Sequence, residues 1–206
     1  MSRRLGILIS GRGSNLQSIV DAIGRGELQA EIAVVISNRD DAAGLLRARE
    51  AAIETLCLKQ REFDNRDAYD AAVARELRAR RVDVVCLAGF MRLVGAPLLD
   101  AFPNRILNIH PSLLPAFPGL DAQRQALDYG VTVAGATVHL VTRELDGGPI
   151  VMQAAVPVSA DDTVESLSAR ILVEEHRLYP RAVGLVLDGR WRLEGRRFVP
   201  GTTAAS

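Results

Sequence analysis

The chain has 206 residues, 48% of them hydrophobic, with 25 basic and 25 acidic side chains. That length suits one large domain or two small ones with ample core. A formal net charge of +0 gives no reason to expect a nucleic acid or a membrane surface as partner.

Two cysteines and three histidines at wide spacing carry no metal signature. Cys57 and Cys86 lie in apolar runs, TLCL and VVCLAGF, as small core residues of a reducing compartment do. The apolar run near the N-terminus is too short for a signal peptide or a membrane span. The expected location is therefore the cytoplasm.

In chain order, LGILIS (5–10) reads as a buried strand, followed by the glycine loop GRGSN and a helix over 15–23. EIAVVIS (31–37) is the next strand and AGLLRAREAA (43–52) the next helix. TLCLK (55–59) is a short strand; DAYDAAVARELRAR (67–80) is helical, with Tyr69, Val73 and Leu77 at four-residue spacing. VDVVCLAG (82–89) is again continuously apolar. Strands buried on both faces, alternating with amphipathic helices, predict an α/β fold whose parallel sheet has helices on both sides.

The pattern then changes. RILNIH (105–110) runs into a loop with Pro111, Pro115, Pro118 and Gly119, and the Leu114-Pro115 bond is a candidate for cis. A short helix (121–129) follows. Strands over 131–142 and 148–158, joined at RELDGG, suggest an antiparallel pair. A helix over 163–187, interrupted near Pro180, leads to a terminal hairpin or edge piece, WRLEGRRFV. With no repeats, low-complexity tracts or linker, the expectation is a single domain over 1–206.

Two stretches carry chemistry. SGRGSN follows a strand and opens a helix, where backbone N–H groups and the helix dipole favour an anion. It lacks the third glycine of a dinucleotide loop and the Gly-Lys-Ser/Thr of a triphosphate loop. It reads either as a site for a single phosphate group or as a tight turn with Ser14 or Asn15 as helix cap. In RILNIH, side chains alternate, so Asn108 and His110 share a face with Ile106. Buried without partners, each would cost about 1–3 kcal/mol. Either both have structural partners, or the face opens into a site. There, an amide and an imidazole would hold a developing oxyanion and move protons. Glu144 and Asp146 in ELDGG are the candidate orienting carboxylates, although Asp before Gly-Gly is commonly only a turn residue. His139 and His176 read as structural. No serine or cysteine has a nucleophile-elbow context, so acyl chemistry here would pass directly between substrates.

ISGRGSNLQ, LAGFMRL, ILNIHPSLLPAFPG and ELDGGPIVMQ, in this order and at these separations, give the chain a close resemblance to the folate-dependent phosphoribosylglycinamide formyltransferases. It spans Leu5 to about Gly189. The Asn-x-His-Pro-Ser-Leu-Leu-Pro segment marks the wider folate formyltransferases, and the SGxGSN loop narrows it. The resemblance implies a mostly parallel seven-stranded sheet. Its nucleotide-binding half, about 1–100, is Rossmann-like; about 101–206 is the folate-binding and catalytic half. It implies 10-formyltetrahydrofolate as co-substrate, with no metal and no nicotinamide. It matches Gly13, Ser14 and Asn15 to the substrate's phosphate. Arg66, Met91, Arg92, Leu93, Val94 and Asn108 fall to the folate side, and Asn108, His110 and Asp146 to the catalytic trio. Glu175 and Thr137 match residues near the ribonucleotide and the trio. Ala116, Asp121 and Gln123 depart from the Lys and His of some relatives.

The partners expected are small molecules, with the chain a monomer or homodimer. A formyltransferase acting on methionyl-tRNA would carry an extra basic domain, and a formyltetrahydrofolate hydrolase an added regulatory one. A non-catalytic nucleotide sensor would have no use for an intact Asn108–His110–Asp146 set.

Overall fold

The computed structural model describes residues 3–201. Strands β1 (Arg4–Ile9), β2 (Glu31–Ser37), β3 (Thr55–Cys57), β4 (Val84–Leu87) and β5 (Ile106–His110) pair in parallel in the order β3-β2-β1-β4-β5. β6 (Val133–Leu140) pairs antiparallel with β5, and β7 (Ile150–Pro157) antiparallel with β6. The expected sheet had seven strands. Among the described residues it has nine, because the terminal hairpin of β8 (Trp191–Glu194) and β9 (Arg197–Pro200) joins the edge through a pairing of Ile150 with Arg197.

Leu5, Ile7 and Ile9 point to one face, with α1 (Ser14–Gly24), α2 (Ala43–Glu50), α5 (Ala122–Tyr129) and the long α6 (Val164–Asp188). Leu8, Ile36 and Ile106 point to the other, where α3 (Arg66–Ala79) and α4 (Ala96–Ala101) pack. The sequence pattern missed α4: with Pro97 in its first turn and only six residues, it is too short to show a period.

A second correction concerns α6, which runs through Pro180 without interruption. A proline inside a helix costs about 3 kcal/mol. Leu178, Tyr179, Ala182 and Val183 around it are buried against the sheet, and each large apolar side chain buried returns about 1.5–3 kcal/mol. The Tyr179 hydroxyl also reaches the carbonyls of Leu87 (2.9 Å) and Leu107 (3.1 Å), which anchors the helix at this point.

β1 leads to a helix on one face and β4 to a helix on the other. In such a sheet a crevice forms beyond the carboxyl ends of the two neighbouring strands. The glycine loop and residues 88–94 therefore flank one crevice, with the end of β5 beside it.

Candidate active site

β5 answers its own sequence question. Leu107 and Ile109 enter the core beneath α6. Asn108 and His110 face the opposite side, where β6 brings His139 opposite Asn108 and Thr137 opposite His110. The polar strip is covered by the 111–119 loop and the 143–148 turn.

The 143–148 turn supplies the carboxylate. Asp146 has a left-handed backbone (φ 49), which Asp tolerates better than most residues. A Cβ at Gly148 would fall 1.7 Å from the Leu140 carbonyl oxygen, so glycine lets the turn fold tightly back over β6. Of the two acids in ELDGG, Asp146 turns inward with 9% of its side chain exposed, and Glu144 stays in solvent at 68%.

Asp146 Oδ2 lies 3.5 Å from His110 Nδ1 and accepts from the Gly119 N–H at 2.8 Å. Its Oδ1 lies 3.6 Å from His139 Nε2 and 3.5 Å from Asn108 Nδ2. Burial pushes this carboxyl up. Its polar contacts, the Gly119 N–H among them, outweigh it and hold it below the ordinary carboxylate value. Asp146 is thus an anion facing two imidazoles.

His110 Nε2 donates to the Phe117 carbonyl at 2.8 Å. That leaves Nδ1 toward the Asp146 carboxylate at 3.5 Å. His139 Nδ1 donates to the Leu140 carbonyl at 3.0 Å, so its Nε2 is free to accept from Asn108 Nδ2 at 3.2 Å. The second Asn108 Nδ2 hydrogen reaches only the 3.5 Å contact with Asp146, and it is the donor available to a ligand.

The loop above is tied down on the same strip. The Thr137 hydroxyl donates to Ser112 O (2.7 Å) and accepts from Leu114 N (3.1 Å), and Gln153 Nε2 reaches both Leu114 O and the Thr137 hydroxyl at 2.9 Å. The Leu114-Pro115 bond is cis.

At the glycine loop, Gly13 itself caps α1 with φ 72, and no side chain caps it. The alternative of Ser14 or Asn15 as cap is therefore wrong. Asn15 Nδ2 instead donates to Glu175 Oε2 at 2.8 Å. A Cβ at Gly13 would fall 2.6 Å from Gly44 Cα, so the loop packs on α2 too closely for any side chain. The first-turn N–H groups of α1 are left without intrahelical partners. Arg47, which sequence reasoning passed over, donates from Nε to Arg12 O beside them. Burial raises the Glu175 carboxyl, and the Asn15 amide and the Arg12 charge pull it back only in part.

On the third side, Met91 and Leu93 are 69% and 54% exposed, while Arg92 turns inward with its guanidinium 4.2 Å from the Tyr69 ring centroid. Any contact of Arg92 with a ligand there falls to its backbone. The Ser10 hydroxyl donates to Asn38 Oδ1 and accepts from Met91 N, fixing this segment to the end of β1. Arg66 opens α3, exposed, behind its Asn65 cap. Sequence reasoning also undervalued His139. Its position opposite Asn108 follows from a strand register that the run TVHLV does not reveal by itself. Among the described residues, no group of three or more His, Cys, Asp or Glu gathers to hold a metal. No helix among them is long and apolar enough to cross a membrane.

Comparison with known proteins matches residues 3–183 to the formyl transferase family model. The chain is 45% identical to phosphoribosylglycinamide formyltransferase of Escherichia coli, over 97% of each chain. The structure of glycinamide ribonucleotide transformylase 1 from Symbiobacterium toebii superposes with a TM-score of 0.96 at 58% identity, covering 98% of this chain and 95% of that one. A formyltetrahydrofolate deformylase from Pseudomonas syringae superposes with a TM-score of 0.89 at 29% identity, and there the match covers only 67% of that chain.

Proposed function

The chain belongs to the formyl transferase family, and from that premise we propose that its crevice passes the formyl group of 10-formyltetrahydrofolate to the primary amine of glycinamide ribonucleotide, a step of de novo purine biosynthesis. The observation that carries the chemistry is a single buried carboxylate, Asp146, meeting two imidazoles and the Asn108 amide on one polar strip.

The substrate's phosphate rests on the N–H groups of Gly13, Ser14 and Asn15, where partial positive charge collects at the start of α1. Glu175, held by Asn15, lies next to that loop and takes the ribonucleotide's hydroxyl groups. The folate ring lies against Met91, Leu93 and the backbone of Arg92 and Val94, with Arg66 available to its carboxylate end. Thr137 keeps the covering loop in place.

The amine attacks as a neutral nucleophile, forming a C–N bond to the formyl carbon. The carbonyl oxygen becomes an oxyanion, stabilised by Asn108 Nδ2 and by protonated His110, which Asp146 orients. Collapse breaks the bond to the folate nitrogen, which takes up a proton as the amine loses one. His110 Nε2 donates its hydrogen bond to Phe117 O, so proton delivery from this nitrogen requires that bond to open, or a water to relay. Neither a metal nor a nicotinamide enters this scheme. The same reading puts the reaction in the cytoplasm, on a monomer or homodimer.

Purified protein given 10-formyltetrahydrofolate labelled in the formyl group tests the reading. Label is expected in the ribonucleotide's amide, at a rate that requires the ribonucleotide. Label released as formate at the same rate without it would replace transferase by hydrolase.

A further inference from the structure

Asp70 is 1% exposed and plays no part in the chemistry above. It sits on α3, one turn beyond Arg66, and its Oδ2 accepts the Gly95 N–H at 2.5 Å. Gly95 closes the segment Met91–Val94. A Cβ at Gly95 would fall 2.8 Å from Asp70 Oδ2, 3.0 Å from Asp67 Oδ1 and 3.5 Å from Arg66 Nε. The segment's end is thus pressed directly onto the acidic start of α3.

The cations around Asp70 are Arg92 and Arg66, and Asp67 is the neighbouring anion. Arg92 Nε and Nη1 meet no protein hydrogen-bond partner, nor does the Tyr69 hydroxyl. The Arg92 guanidinium therefore lies against the face of the Tyr69 ring, within the field of the Asp70 carboxyl. Burial raises the Asp70 carboxyl, and the Gly95 N–H and the two arginines draw it back. A buried carboxylate is a costly tie where a neutral side chain would bond one N–H equally well. What the charge adds is attraction for the two arginines flanking the folate surface.

We propose that Asp70 is a positioning residue for the folate substrate, joining the Met91–Gly95 segment, Arg92 and Arg66 into one surface. The inference rests on the placement of folate against Met91 and Leu93. A carboxylate that merely stabilised the fold would, when removed, lower thermal stability and leave the two substrates equally affected.

Steady-state kinetics on Asp70→Asn and Asp70→Ala test it. Asn keeps an acceptor for the Gly95 N–H and loses the charge; Ala loses both. The expected result is a folate KM raised about tenfold in Asp70→Ala and by a smaller factor in Asp70→Asn. The ribonucleotide KM stays within twofold of wild type in both. Should Asp70→Ala fail to fold, the Asp70→Asn comparison and Arg92→Met, which is expected to raise the same KM, still decide. Equal change in both KM values, or none in the folate KM, overturns the inference. Met91→Ala and Leu93→Ala separate the two levels. If they raise the folate KM while the Asp70 variants do not, the anchor alone fails. If they too leave it unchanged, the folate placement fails and the anchor with it.

Discussion

Asn108 on β5 and His139 on β6 stand directly opposite each other, with the amide Nδ2 3.2 Å from the imidazole Nε2. The Leu140 carbonyl fixes which His139 nitrogen carries the proton. The acceptor nitrogen then fixes which way the Asn108 amide points. His139→Ala is expected to lower kcat by about tenfold or more through a misdirected Asn108, with the folate KM little changed. Steady-state kinetics check this, and an unchanged kcat would show that Asn108 needs no such guide.

Asn108→Ala and His110→Ala remove the two proposed oxyanion donors. Each is expected to cost on the order of a hundredfold in kcat. Asn108 is half-buried, so thermal unfolding of Asn108→Ala should stay near wild type, whereas His110 is buried and bonded to Phe117 O, so His110→Ala should melt somewhat lower while still folding. Kinetics and melting curves on the same preparations give both readings. A near-normal kcat in either would remove that residue from the mechanism.

Glu175 gives a pH signature of stability. Its carboxyl is raised by burial above the ordinary value of 4.5. The folded state therefore holds this proton more tightly than the unfolded chain. Its contribution is fully present below the unfolded value and is lost as pH rises through the folded one. Glu175→Gln keeps an acceptor for Asn15 and removes the buried charge. It is expected to raise Tm at pH 8 and to have little effect at pH 4. A Tm difference equal at both pH values would show the carboxyl is not burdened by burial. The same variant should raise the ribonucleotide KM.

Gly13→Ala tests the loop. The position needs φ 72 and has no room beside Gly44 Cα. Left-handed backbone alone costs a non-glycine residue about 1–2 kcal/mol, and the clash with backbone adds to it. The variant is expected to melt lower and to bind the ribonucleotide less tightly than the folate. Loss of Tm without any change in ribonucleotide KM would reduce the loop to a tight turn.

Much of this was legible in the residues. The continuous apolar runs of β1, β2 and β4 could be read directly, because a strand buried on both faces leaves no polar alternation. α3 was visible in Tyr69, Val73 and Leu77. Elements whose identity depends on their surroundings were not. α4 is too short for a period. α6 passes Pro180 because the sheet beneath supplies what the ladder loses. The terminal hairpin joins the sheet through one pairing that its own sequence does not announce. The same holds at the site. The odd placement of Asn108 and His110 on a strand pointed to a polar face, but a cross-strand neighbour such as His139 depends on register. The inward turn of Arg92 depends on Tyr69, far away in sequence. The cap assigned to Ser14 or Asn15 failed because Gly13 takes that position and Asn15 is drawn off to Glu175.

The account rests on His110 and Asp146 acting as one unit, and a double-mutant cycle on kcat tests that most directly. His110→Ala and Asp146→Asn are each measured alone and together. If the carboxylate works through the imidazole, the double variant will be no slower than the slower single one, within about threefold. Losses that multiply would mean the two groups act independently, contradicting the shared site.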